Sequence, residues 1–229
     1  MKPISTFSYR YLIFALTFYV LAQAYQQYVL LAGPLAGVQG LHSAILISAH
    51  PLNVIRHVLI YLSMFLMLPA FVILAMRYQN QKIFSRLAVI FFCAFCLIEI
   101  GYRSVYLFQY LNITANEYAL ATPETQQQLL PQIQSFFATI EKGYLPLLSA
   151  LMLGSLFILL ASAKAKTTGV SIAMAVSVLQ QLSRLSGYTS LNFLNVFSGI
   201  WYFVLVAITF GCLIMATIQW RQQTIGNNS

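Results

Sequence analysis

Apolar residues run along this chain in blocks longer than the core of a soluble domain calls for. Six blocks predict six spanning helices, at roughly 11–32, 54–76, 86–110, 144–164, 168–188 and 192–219. Each holds close to the twenty or so apolar residues that the hydrocarbon core of a bilayer requires. The fold class that follows is all-α, a polytopic membrane helical bundle. The first block sits behind a positive start, "MKPISTFSYRYLIFALTF". It is too long for a signal-peptide core, and no small-residue cleavage site follows, so a retained first helix is predicted. No internal repeat and no second domain stand out, so 1–229 reads as one transmembrane domain.

The connections carry their own pattern. Residues 33–53 open with Gly and Pro ("GPLAGVQG") and continue as an apolar stretch, "LHSAILISAHPLN", expected at the outer surface. In the 111–143 connection, Thr122, Pro123 and Glu124 make a helix start. Leu129, Ile133, Phe136, Phe137 and Ile140 follow as an apolar stripe, which predicts a short amphipathic helix on the outer face. "NIT" at 112–114 matches a glycosylation acceptor, but a three-residue match is too common to weigh.

Composition agrees with the pattern. Hydrophobic residues make up 60% and charged residues 7% of the 229, and mean hydropathy is +0.78. Soluble domains are nearer half apolar and a quarter charged. The net charge of +8 does not point to nucleic acid, because no Gly-rich or interleaved Lys–aromatic run accompanies it. It reflects where the basic residues fall. Lys2, Arg10, Arg77, Lys82, Arg86, Lys164, Lys166 and Arg221 all lie on one side of a six-span arrangement. The other side holds Arg56, Lys142 and Arg184 with Glu117, Glu124 and Glu141. By the positive-inside rule both termini are expected in the cytoplasm.

Within this apolar chain the polar exceptions become informative. "CLIEIGYRSVY" places Glu99 and Arg103 one helical turn apart, near the middle of the third span. At matched depth lie Gln23 and Gln27 in the first span, and Gln180, Gln181 and Arg184 in the fifth. The second span enters with Asn53, Arg56 and His57, the sixth with Asn192, Asn195, Ser198 and Trp201. Ionisable groups at this depth cost several kcal/mol unless they pair or face a wet cavity. They are therefore expected to converge on a polar interior that opens outward. Two readings stand side by side. Glu99 and Arg103 have the favourable i, i+4 order of a closed structural pair, and Gln and Asn serve as interhelical glue. Alternatively the layer lines a pocket, with Gln23, Gln27, Arg56, Glu99, Arg103, Gln180, Arg184 and Asn195 as ligand-binding candidates. Three arginines against one deep carboxylate favour an anionic ligand, a lipid headgroup included.

Other constellations carry less. His42, His50 and His57 are the only histidines, and Pro51 after His50 is expected to start a new helix and split the set. With no aspartate in the chain and no HExxH, no metal and no cofactor are expected. Cys93 and Cys96 ("CAFC") lie in an apolar helix, where thiols are inert, and the three cysteines give no disulfide framework. The fourteen tyrosines read as an aromatic belt. The leading function is a protein that binds, senses or passes a small polar or anionic ligand, with membrane lipids as partners. The alternatives are an intramembrane hydrolase using Glu99 with His50 or His57, and a non-catalytic partner or immunity-type membrane protein.

The stretch "LISAHPLNVIRHVLIYLSMFLMLPAFVILAMRYQNQKIFSRLAVIFFCAFCLIEIGYRSVYLFQ" resembles a bacterial integral-membrane family catalogued as domain of unknown function four-three-eight-six. The likeness lies in an apolar outer segment ending in a Pro-containing turn, a basic exit from the second span ("LAMRYQ"), and an Arg/Glu pair in the third. The chain is richer in Gln and Tyr than that family. The resemblance implies a bacterial inner membrane and about six helices, and it implies no catalytic residues.

Overall fold

The computed structural model describes residues 6–186 and 200–226. The described chain is helical almost throughout. In order it forms α1 (Thr6–Leu31), α2 (Leu41–Ser48), α3 (Pro51–Met76), α4 (Lys82–Ser104), a π-helical segment (Val105–Thr114), α5 (Ala115–Leu120), α6 (Pro123–Lys164), α7 (Thr168–Ser186) and α8 (Ile200–Gly226).

Local chemistry sets the boundaries. α1 closes at Gly33, whose N–H and that of Ala32 both donate to the Tyr28 carbonyl, at 2.8 and 2.9 Å. A Cβ at Gly33 would sit 2.8 Å from Val29 Cα, so only glycine lets the chain fold back there. Pro51 does start a helix: it occupies the first turn of α3, and His50 Nδ1 caps it by accepting from Leu52 N–H at 3.2 Å. The tight turn into α4 is pinned by Ser85 Oγ, which donates to the Ala75 carbonyl at 2.7 Å.

The six long helices close into a ring. α1 packs on α3, α3 on α4, α4 on α6, α6 on α7, α7 on α8, and α8 returns to α1. The main core fills one end, with Leu12, Leu16, Met67, Phe71, Phe92 and Leu213 fully or nearly buried. Phe71 and Phe92 stack there at 4.1 Å and 6°. At the other end a second, smaller core joins α2, the π-helical segment, α5 and the start of α6 through Ile45, Leu111, Tyr118 and Ile133.

Among the described residues, four helices are long and apolar enough to cross a membrane: α3, α4 with its continuation to Leu120, α6, and Trp201–Gln223 of α8. These mark a helical membrane protein. α1 and α7 fall short of that apolarity for an identifiable reason. Both carry the glutamines, and they carry them inward: Gln23 is 3% exposed while Leu21 is 63%, and Gln180 is 5% exposed while Leu179 is 64%. The chain is thus apolar outside and polar within at this level, the reverse of a soluble bundle.

The 111–143 connection differs from its expected form. The helix does start at Thr122, whose Oγ1 accepts from Thr125 N–H at 3.4 Å. It does not stop before residue 144. α6 runs unbroken for 42 residues through Pro131, Gly143 and Pro146, about 63 Å at 1.5 Å per residue and twice the hydrocarbon thickness. The expected short amphipathic helix is its first part, and Ile133, Leu129, Phe136 and Phe137 of the stripe pack into the smaller core. On the preceding side the helix does not end at 110 but continues through the π-helical segment into α5.

Candidate functional site

The ring holds a cavity of about 780 Å³, whose walls include Met67, Phe71 and Leu213 of the main core. Helices entering from opposite ends bring their polar turns to one level. α1 and α4 contribute from their last turns, α3 and α8 from their first.

Part of its lining is a polar cluster built on α3 and α4. Arg103 Nε donates to Glu99 Oε1 at 2.8 Å, and Nη2 approaches the same oxygen at 2.8 Å. Arg103 Nη1 contacts His57 Nδ1 at 2.6 Å, and Arg56 Nη2 contacts His57 Nε2 at 2.7 Å. Glu99 and Arg103 are buried, 5% and 8% exposed, so the pair points into the bundle. Tyr106 stacks on the imidazole at 4.1 Å. A neutral imidazole has one acceptor nitrogen and one N–H. Two guanidinium groups therefore claim a single acceptor, and the cluster is rich in donors. Arg56 Nε is buried without a partner among the described residues, and so is Glu99 Oε2.

A second group faces it from α1, α7 and α8. The Arg184 guanidinium lies over the Tyr202 ring at 5.2 Å, a cation–π distance. Tyr202 Oη donates to Gln23 Oε1 at 3.3 Å, Gln26 Nε2 donates to the same oxygen at 3.3 Å, and Gln180 Nε2 donates to the Tyr202 carbonyl at 3.3 Å.

Of the sequence candidates, Gln23, Arg56, Glu99, Arg103, Gln180 and Arg184 all line the one cavity. Gln27 does not line it; Gln26, one residue earlier, does. Asn195 lies outside the described residues, as do Asn192 and Ser198. The histidines part company. His57 is central, His50 caps α3, and His42 Nδ1 meets Tyr118 Oη at 2.7 Å in the smaller core. His57 was not among the ligand-binding candidates, yet it sits between Arg56 and Arg103. Pattern reading also assigned the tyrosines to a membrane belt, whereas Tyr19, Tyr102, Tyr106, Tyr144 and Tyr202 line the cavity. The available signal was spacing: Tyr102 and Tyr106 flank Arg103 on its own helix.

No protein-family profile, curated protein or solved structure matches this chain. The chemistry of the site therefore rests on its own geometry. Two arginines, Arg103 buried and Arg56 half-buried, at hydrogen-bonding distance from a single imidazole can bind an anion and exclude cations. Glu99 Oε1 is held by Arg103 and both ring nitrogens of His57 face guanidinium groups, which leaves Glu99 Oε2 as the open acceptor of the cluster among the described residues.

Proposed function

We propose that this chain is a bacterial inner-membrane protein whose outward-opening cavity binds the anionic group of a small molecule or lipid, to sense it or pass it on. All six long helices span, both termini are cytoplasmic, and the chain is kin to the four-three-eight-six family. Support for the spans comes from the inward-turned glutamines of α1 and α7. Support for the orientation comes from the basic residues that gather at the opposite end from the cavity mouth.

The single observation that carries the binding reading is the convergence of Arg56 and Arg103 on His57. A closed structural pair needs one arginine for Glu99. The second arginine leaves donor capacity that an anion satisfies. The test is thermal stability of the purified chain with inorganic phosphate and with phosphatidylglycerol. The wild type should be stabilised. The double variant Glu99→Gln with Arg103→Gln should keep its helical content and lose the response. Equal responses in both proteins would make the cluster a structural fixture.

A further inference from the structure

The cavity continues well past the polar cluster. Below His57 on α3 it is lined by Met64, Met67 and Phe71, and on the facing helices by Leu151, Phe210 and Leu213. From His57 to Phe71 the helix advances about 21 Å. Two serines in this lower part satisfy each other, Ser155 Oγ to Ser177 Oγ at 2.8 Å. Thr209 Oγ1 is the lower wall's unpartnered polar atom among the described residues. The cavity is thus two-part, a charged upper ring over a long apolar chamber.

A bare inorganic anion, only a few times the roughly 30 Å³ share of one liquid water, fits the ring and leaves the chamber without an occupant it could favour. Methionine walls suit a flexible aliphatic chain, because the unbranched thioether adapts to whatever it packs on. The charge of the lining sets the head. Arg56, Arg103 and Arg184 stand against Glu99 and Glu141, one positive charge in excess, which a single negative charge neutralises. We infer that the ligand is a single-chain amphiphile with a monoanionic head, of the fatty-acid type. Its carboxylate would lie among Arg56, His57 and Arg103, and its chain would run along Met64, Met67 and Leu151 towards Phe71. This rests on the anion-binding reading above and deepens it.

The experiment uses the full chain in phosphatidylcholine nanodiscs, with empty discs as the partition control. The probes are laurate, dodecanol and acetate, together with a chain-length series of saturated fatty acids. Laurate should bind at least about tenfold more tightly than acetate, since its chain buries methylenes in the chamber, and more tightly than dodecanol. Affinity above the empty-disc control should rise with chain length and then stop rising once the chamber is full. Arg56→Gln should weaken laurate about tenfold while sparing the Glu99–Arg103 pair. Leu151→Trp, which fills the chamber, should weaken laurate and leave acetate unchanged. The chain-length series on wild type decides the matter if Leu151→Trp fails to fold. Equal affinity for acetate and laurate would overturn the amphiphile and leave the anion site standing. Equal affinity for dodecanol and laurate, or no binding by laurate or acetate, would overturn both.

Discussion

Arg103 divides its guanidinium between two partners: Nε and Nη2 meet Glu99 Oε1, and Nη1 meets His57. Replacing it alone by Gln strands a buried carboxylate, which costs about 3–5 kcal/mol. Adding Glu99→Gln should restore most of that loss, read as coupling in a double-mutant cycle of unfolding free energies. Additive losses would mean that the two residues do not depend on each other. At the basic end, Tyr78 Oη and Thr167 Oγ1 are 2.8 Å apart, joining the α3–α4 turn to the α6–α7 turn. Burial pushes the Tyr78 phenol up to about 12, from an ordinary value of 10.0. A raised acid favours the neutral form in the folded state. Its contribution is therefore complete below pH 10 and is lost as pH rises from 10 towards about 12. Tyr78→Phe should cost about 1 kcal/mol at neutral pH and flatten that alkaline limb, measured by unfolding at a series of pH values. At this scale the sequence was legible where spacing decides a partner, as with Glu99 and Arg103. It was not legible where a partner lies on another helix, as with Arg103 and His57, 46 positions apart.

α6 approaches α4 through Gly154. A Cβ there would lie 2.7 Å from Phe92 Cδ1, and the Phe92 ring is held by its stack on Phe71. Gly154→Ala should therefore destabilise by about 1–3 kcal/mol through overpacking. Phe92→Leu in the same chain should recover part of it, since the ring that blocks the methyl is gone; thermal unfolding of the three variants checks this. The six long helices and their order could be read from the apolar blocks, and so could the start at Pro123 and the start at Pro51, but α2 and α5 could not. Nor could helix ends. Gly143 and Pro146 look like a boundary, because each lowers helix propensity in water. Inside a bundle at membrane depth a break would leave backbone groups unpaired, and that cost favours continuing the helix. The weak apolarity of α1 and α7 has the same origin as the site itself: their polar residues face the cavity.

Across the whole molecule, the six long helices close into a ring around a cavity whose polar side chains gather at one level. Basic residues gather at the end where Tyr78 meets Thr167. Reporter fusions at position 120 and at the C-terminus should give opposite topologies, and matching signals would contradict the six-span reading. The central claim is that the interior is water-accessible from the mouth and electropositive. Gln26 lines the cavity and is only partly buried, so a cysteine there reports on both properties. In a background with Cys93, Cys96 and Cys212 replaced by serine, Gln26→Cys should react faster with an anionic thiosulfonate reagent than with a cationic one of similar size. Arg56→Gln should narrow the difference. No reaction from the outer face, or faster reaction with the cationic reagent, would contradict the account.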